Sequence, residues 1–207
     1  CQKIPGANID DIARTIGLDL RIGKLFLNAG PGYGGSCLPK DMKALINFAN
    51  TTGVTPTLLN AVEDVNTKQL EQIISIIKKR LGDLTSKKIT ILGTAFKPNT
   101  DDIRDSIAIE LIKKLQKRKA DVIIHDPKAM ENTRRVFGDK IRYGRTVTDA
   151  LSKSQCVIIM TQWKQYEKLN NNQFKNMKRK FVIDSRRMLS DKQLDVDYFA
   201  IGLGKEN

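Results

Sequence analysis

Short apolar runs in the second half of the chain constrain its fold most strongly. KITILG at 88–93, DVIIHD at 121–126, CVIIMT at 156–161 and FVIDS at 181–185 are rich in β-branched residues, and YFAIG at 198–202 is a candidate fifth strand. Stretches with helical spacing separate these runs. The alternation predicts an α/β fold with a doubly wound, Rossmann-like parallel sheet that binds ligands at the carboxyl ends of its strands.

The first 86 residues have helical rather than strand periodicity. Apolar residues recur at helical spacing over 8–20, 39–53 and 56–82. The third segment predicts one helix of about seven turns. Such a helix suits a connection between two lobes, or pairing with its copy in a dimer. We therefore expect a helical unit over 1–86 and a sheet unit over 87–207.

Composition places the chain among globular proteins. Of its 207 residues, 40% are hydrophobic and 29% are charged, and no apolar run approaches the roughly 18 residues of a membrane span. The opening CQKIPG shows no signal-peptide pattern and does not begin with Met. From these features we expect a cytoplasmic protein with no membrane partner, and a fragment whose natural N-terminus lies upstream.

A formal charge of +13 suits an anionic ligand. The lysines and arginines cluster on helix-like stretches at 78–80, 113–119 and 178–180, and aromatic residues make up only 6% of the chain. Little material is therefore present for stacking nucleic-acid bases. The pattern favours a nucleotide ligand over a nucleic acid, and it favours solvated helix faces for the basic clusters.

Cysteine and histidine are too sparse for a disulfide framework or a zinc site. Cys1, Cys37 and Cys156 are widely spaced, and His125 is the only histidine. We therefore expect reduced thiols and no metal. Cys156, within the apolar run CVIIM, is interpreted as a core residue.

Cys37 lies in PGYGGSCLPKD, residues 31–41, just before a predicted helix whose first turn suits Pro39. Unpaired N–H groups and the positive end of the helix dipole would favour the nucleophilic thiolate and could hold an oxyanion. The glycines would let a substrate approach closely. A nucleophile is therefore favoured over a buried structural cysteine. Lys40 and Asp41 fit a surface ion pair and a water-positioning pair equally well.

LGTAFKPNTDDIRDS, residues 92–106, follows the first strand of the sheet unit. Open α/β sheets bind phosphates at this place, so Lys97 and Arg104 are candidate anion ligands, and Ser106 is a candidate helix cap. The segment lacks both the GxGxxG and the Walker patterns. Fifteen residues with five charges are long for a simple connection, which favours a nucleotide-binding loop.

These two segments, in this order, resemble the UDP-glucose/GDP-mannose dehydrogenase family. GPGYGGSCLPKD precedes GTAFKPNTDDIRDS, a long predicted helix separates them, and IIHDP, MTQWKQY and VIDSRR are similar to the family's later motifs. The resemblance covers nearly the whole chain. It implies an enzyme that oxidises the C6 hydroxyl of a nucleotide-linked sugar to a carboxylate, with two NAD+ used in succession.

The resemblance also implies roles for individual residues. Cys37 would attack the aldehyde-level intermediate, which becomes a thioester when hydride leaves to the second NAD+ and is then hydrolysed by water. Asp41 would orient that water, with Lys40 beside it, and Arg104 would contact NAD. The implied substrate contacts are Arg21, Phe26, Leu27, Tyr33, Gly34, Phe96, Lys97 and Arg186. Arg21 would reach the neighbouring subunit's site, which implies a homodimer.

One part of the family pattern is missing. Family members begin with an NAD-binding Rossmann domain, and a lysine and an asparagine that act in the first oxidation also precede the position of Cys1. We therefore expect this chain to be inactive alone. CLPKD resembles the UDP-glucose and GDP-mannose branches of the family more than the UDP-N-acetylmannosamine branch. UDP-glucose is the favoured substrate, with GDP-mannose and UDP-N-acetylmannosamine left open, and Asn28 stands where some relatives carry lysine. A non-catalytic nucleotide-sugar binding module is the alternative, and it would have no need of Cys37.

Overall fold

The structure is a computed structural model that describes residues 1–204. Its helices are α1 (Ile9–Ile16), α2 (Leu38–Thr51), α3 (Thr57–Leu81), α4 (Ile107–Lys117), α5 (Met130–Phe137), α6 (Val147–Leu151) and α7 (Asn171–Phe174). Its strands are β1 (Lys88–Leu92), β2 (Asp121–His125), β3 (Arg142–Tyr143), β4 (Cys156–Ile159), β5 (Phe181–Asp184) and β6 (Asp197–Ala200). Within this part of the chain, no helix is both long enough and apolar enough to cross a lipid bilayer.

The six strands form one parallel sheet in the order β3-β2-β1-β4-β5-β6. Ile91 in β1 pairs with Ile124 of β2 on one side and with Ile158 of β4 on the other. The chain builds outward from β1 to β3 and then crosses back to β4, so the strand order reverses between β1 and β4. The predicted α/β fold is confirmed, and this reversal is the point at which doubly wound sheets bind their ligands.

Strand prediction succeeded where the runs are fully buried. β1, β2, β4 and β5 fall within predicted runs, and β6 begins one residue before the candidate run at 198–202. β3 was missed, because this two-residue strand lies at the edge of the sheet and carries no apolar run. Ser106 takes the N-cap position of α4 as predicted, but its hydroxyl makes no capping hydrogen bond.

Both faces of the sheet are covered by apolar side chains. One face packs against α3 and α4, and the other packs against α6, α7 and the segment between β4 and α7. α3 belongs to this core only in its C-terminal half, where Ile73 and Ile77 are fully buried. In its N-terminal half, Leu58 is 75% exposed and Val65 is 58% exposed. The long helix is therefore anchored on the sheet and reaches beyond it toward the glycine-rich loop.

The N-terminal segment is fastened to the β6 edge of the sheet. The N–H of Ile9 donates to the carbonyl of Gly202 at 2.9 Å. Arg187, whose side chain is 7% exposed, donates from Nε to the carboxylate of Asp10 at 2.6 Å. The side chain of Asn8 accepts the N–H of Asp10 at 3.1 Å, which confirms the predicted cap of α1. These bonds tie the start of the chain to the sheet unit.

A buried carboxylate organises the loop that follows β1. Asp126, directly after β2, is 2% exposed and accepts hydrogen bonds of 2.7–3.1 Å from five groups. The donors are the backbone N–H groups of Thr94, Ala95, Lys128 and Ala129 and the indole N–H of Trp163. These bonds offset the cost of burying a charge. They also fix the backbone immediately before Phe96.

Asp126→Ala would leave these donors without an acceptor. Since an unsatisfied buried group costs about 1–3 kcal/mol, we expect the free energy of unfolding to fall by about 3 kcal/mol or more. Asp139→Ala is a control, because Asp139 is exposed, and it should change stability by less than about 0.5 kcal/mol. Urea unfolding followed by circular dichroism measures both variants, and equal losses would contradict the role given to Asp126.

Candidate functional site

The glycine-rich loop before α2 packs closely against the sheet unit. A Cβ on Gly34 would lie 2.4 Å from the carbonyl oxygen of Asp105, and one on Gly35 would lie 2.5 Å from the ring of Phe96. Gly35 has φ +95°, which favours glycine, and its N–H donates to the carbonyl of Asp105 at 3.2 Å. These glycines therefore let the two units approach each other, a role that we did not predict from the sequence.

Cys37 occupies the N-cap position of α2 and is the one exposed cysteine among residues 1–204. Its carbonyl accepts the N–H of Asp41 at 2.9 Å, and Pro39 is buried in the first turn. The N–H groups of Ser36 and Cys37 donate to no acceptor within the described residues. The predicted position at a helix N-terminus is confirmed, and these two N–H groups are available to an oxyanion.

Cys156 differs from Cys37 in burial. It lies in β4 with no exposed surface, and this burial raises the pKa of its thiol. Its predicted place in the core is confirmed. Within residues 1–204, no cluster of three or more His, Cys, Asp or Glu side chains could hold a metal ion.

Two cations lie near Cys37. Arg104 binds Asp102 through Nε at 3.1 Å and Nη2 at 2.7 Å, and this hydrogen bonding raises the pKa of Arg104. Lys40 Nζ lies 3.0 Å from the carboxylate of Asp41, which raises the pKa of Lys40. A negative charge on Cys37 acts in the same direction on both cations. Lys40 and Asp41 thus form an exposed ion pair beside the thiol.

A cleft of about 560 Å³ separates the loop from the carboxyl ends of the central strands. One wall consists of Phe96 after β1, Gln162 after β4 and Arg186 after β5. Because β1, β4 and β5 are adjacent, the cleft lies at the edge where the strand order reverses. The other wall consists of Leu25, Phe26, Asn28, Gly30, Gly32, Tyr33, Gly34 and Leu38. Leu38 directly follows Cys37, so the chain at Cys37 adjoins the cleft, although Cys37 is not itself among the lining residues.

Arg186 places a half-buried positive charge in this cleft. Its Nε donates to the carbonyl of Met160 at 2.8 Å, and Nη1 lies so close to Gly30 that a Cβ there would be 2.8 Å away. Burial lowers the pKa of Arg186 to about 10. Within residues 1–204 it forms no ion pair with a carboxylate. Since buried charges are normally paired, the guanidinium has the chemistry of an anion-binding group.

Tyr33 supplies a neutral hydroxyl at the back of the loop. Its OH donates to the carboxylate of Glu63 on α3. Burial, and then the hydrogen bond and negative charge of Glu63, raise the pKa of Tyr33 to about 12. The phenol therefore stays protonated at neutral pH, and its ring forms part of the cleft wall.

Of the predicted substrate residues, five line the cleft and three do not. The five that line the cleft are Phe26, Tyr33, Gly34, Phe96 and Arg186. Leu27 is half-buried outside it, and Lys97 Nζ lies 5.3 Å from the centre of the Phe96 ring. Arg21 is exposed and binds Asp19 through two nitrogens. It is therefore accessible to a neighbouring molecule.

Sequence reasoning missed three side chains that line the cleft: Leu25, Leu38 and Gln162. Gln162 follows β4 within the motif MTQWKQY, and its position at the carboxyl end of a central strand is a signal that could have identified it. Leu25 gave no such signal, because an apolar residue in a loop has no characteristic spacing. Its side chain is 82% exposed.

Both parts of the chain match domains of the same protein family. The UDP binding domain of the UDP-glucose/GDP-mannose dehydrogenase family matches residues 90–191, and the central domain of that family matches residues 1–68. UDP-glucose 6-dehydrogenase AglM of Haloferax volcanii is 42% identical over 95% of this chain and 45% of its own length. UDP-glucose 6-dehydrogenase of Rhizobium meliloti is 40% identical over 91% and 43%. The solved structure of a UDP-glucose dehydrogenase from Pyrobaculum islandicum has a TM-score of 0.87 at 36% identity, covering 96% of this chain and 44% of that one.

The sheet topology and the cleft at its strand reversal define a protein of the doubly wound α/β class. With both domain matches, the chain belongs to the UDP-glucose/GDP-mannose dehydrogenase family. It spans less than half the length of the relatives named above.

Gly35→Ala tests whether the loop can pack against Phe96 only when residue 35 has no side chain. Gly53→Ala is the matched control, because Gly53 has φ +78° and an added Cβ there meets no atom within 4 Å. Both variants should lose about 1–2 kcal/mol of unfolding free energy from left-handed backbone strain. Gly35→Ala should lose about 1–3 kcal/mol more, because its methyl group overlaps Phe96. Urea unfolding gives both values, and identical losses would argue against close packing at Gly35.

Proposed function

We propose that this chain is the thiol-bearing and nucleotide-sugar-binding portion of an NAD-dependent UDP-glucose 6-dehydrogenase. The family membership and the UDP-glucose 6-dehydrogenases among its relatives support this proposal. The observation that carries it is the cleft in which a half-buried guanidinium, Arg186, has no carboxylate partner within residues 1–204 and lies opposite the loop that precedes Cys37. GDP-mannose and UDP-N-acetylmannosamine are the alternative substrates.

In this proposal the cleft holds the UDP-sugar. Arg186 donates to an oxygen of the diphosphate, because planar guanidinium groups suit phosphate and lose little hydration on burial. Phe96 and Tyr33 contact the sugar and the nucleotide through their rings, and Phe26 and Gly34 complete the contacts within the cleft. Leu27 and Lys97 lie outside the cleft and would reach the ligand only after a rearrangement of the loops that carry them. Sugar placed against the loop lies beside Cys37.

Cys37 carries the second oxidation. Its sulfur adds to the aldehyde carbon of the oxidised sugar, and the N–H groups of Ser36 and Cys37 hold the resulting oxyanion. The C=O bond re-forms as this oxyanion loses a hydride to the NAD+ acceptor, which leaves a thioester. Water, oriented by Asp41 with Lys40 balancing its charge, attacks the thioester carbon. The carbon–sulfur bond then breaks, which releases the uronic acid and the thiolate.

NAD+, when bound, supplies the hydride acceptor for both oxidations. Arg104 is the residue of this chain that fits the cofactor, because its guanidinium is exposed beside Cys37. The loop after β1 lacks the GxGxxG pattern, so we assign the rest of the NAD site to an N-terminal domain outside this chain. We place the division within the chain at residues 86 and 87. The chain alone is then without NAD-reducing activity.

A homodimer and a cytoplasmic location complete the proposal. The apolar N-terminal half of α3 supports a protein contact, since Leu58 and Val65 line a groove of about 640 Å³. Arg21, exposed and outside the cleft, would reach the active site of the second subunit. A reactive free thiol persists in a reducing compartment, which supports the cytoplasm.

Calorimetric titration tests the substrate assignment. We expect the chain to bind UDP-glucose more tightly than GDP-mannose or UDP-N-acetylmannosamine. Arg186→Gln should weaken UDP-glucose binding about 10- to 100-fold, since a hydrogen bond to a charged group is worth about 1.5–3 kcal/mol. Arg135→Gln, on the exposed face of α5, is the control and should bind as the parent chain does. Equal affinity in all three proteins would refute the role of Arg186.

A further inference from the structure

The long helix holds the backbone of Tyr33 through one side chain. Oδ1 of Asn66 accepts the N–H of Tyr33 at 2.8 Å, and Nδ2 of Asn66 donates to the carbonyl of Tyr33 at 3.0 Å. One carboxamide thus satisfies both polar groups of one peptide residue, as a neighbouring strand does in an antiparallel pair. Neither residue is exposed, so water competes weakly for these bonds.

Two neighbouring contacts fit this arrangement. Gly32 has φ +111°, and a Cβ there would lie 2.4 Å from Oδ1 of Asn66, so only glycine lets the loop come this close. Glu63, three residues before Asn66 and therefore on the same helix face, accepts the hydroxyl of Tyr33. α3 therefore holds the backbone and the side chain of Tyr33 together.

The loop is held again two residues later from the opposite side. Gly35 N–H donates to the carbonyl of Asp105 at 3.2 Å, and Asp105 itself has φ +47° at the turn before α4. Cys37 follows two residues further on. With Tyr33 fixed by α3 and Gly35 fixed by the turn, few backbone torsions remain free before the thiol.

We propose that Asn66 is a positioning residue that sets the place of the Cys37 loop and of the cleft wall. The inference rests on the proposed function. Asn66 does not itself line the cleft, and it acts through the loop residues Gly32 and Tyr33, which do. The sequence alone gives no signal for this role of Asn66, because a polar residue within an amphipathic helix normally faces solvent.

Three variants of the whole chain separate positioning from general stability. Asn66→Ala removes both bonds, and Asn66→Asp keeps an acceptor for the N–H of Tyr33 while losing the donor. Asn60→Ala is the matched control, because Asn60 is an exposed asparagine on the same helix whose side chain makes no hydrogen bond within residues 1–204. Iodoacetamide labelling of Cys156, which is fully buried, reports whether each variant remains folded.

The first readout is amide hydrogen exchange at Gly35, measured by NMR. The N–H of Gly35 donates to Asp105 and not to Asn66. If the variants lost only the hydrogen bonds to Tyr33, the exchange rate at Gly35 would therefore be unchanged. Positioning by Asn66 predicts that exchange at Gly35 accelerates about tenfold or more in Asn66→Ala, less in Asn66→Asp, and not in Asn60→Ala. Unchanged exchange in a folded Asn66→Ala variant would overturn the inference. Should that variant unfold, the same criterion applies to Asn66→Asp.

The second readout is the affinity for UDP-glucose. Asn66→Ala should bind it about tenfold more weakly than Asn60→Ala, because the cleft wall formed by the loop is no longer fixed. Equal affinities would also overturn the inference. The exchange readout needs no ligand, so an absence of UDP-glucose binding in the parent chain would count against the proposed function alone.

Discussion

The site depends on backbone contact between the glycine-rich loop and the turn before α4. Gly34 and Gly35 lie so close to Asp105 and Phe96 that any side chain at either glycine would separate the two surfaces. Protein interiors are close-packed, and such a separation cannot be absorbed by compression. The cleft has one wall on each side of this contact. A shift there would therefore move Cys37 away from the strand ends that face it.

Two charged side chains in the sheet unit, the buried Asp126 and the half-buried Arg186, have opposite environments. Asp126 accepts bonds from five donors and is fully satisfied by the protein, so it holds the loop after β1 in place. The guanidinium of Arg186 has one protein acceptor, the carbonyl of Met160, and no ion pair within residues 1–204. A saturated charge stabilises structure, whereas an unsaturated one in a cleft is suited to a ligand of opposite charge. Together they place a fixed loop and a guanidinium without a carboxylate partner at the same sheet edge.

The sequence predicted those features that depend on local pattern. β4 and β5 are buried along their whole length, so their apolar runs identified them, and Pro39 with the preceding glycines located Cys37 before a helix. Features that depend on distant contacts were not predictable. β3 is too short to show a pattern, and the burial of Arg186 follows from strand packing. The close fit of the glycines requires knowing which residues the second unit brings opposite them.

Protection of the exposed thiol by nucleotide sugar is the most direct test of a shared site. Peptide mass spectrometry measures the rate at which iodoacetamide labels each of the three cysteines. The measurement is repeated at increasing UDP-glucose concentrations, up to the concentration that calorimetry shows to be saturating. The labelling rate of Cys37 should fall in proportion to occupancy, while that of Cys1 stays constant and Cys156 stays unlabelled. Undiminished labelling of Cys37 at full occupancy would show that the sugar and the thiol lie apart.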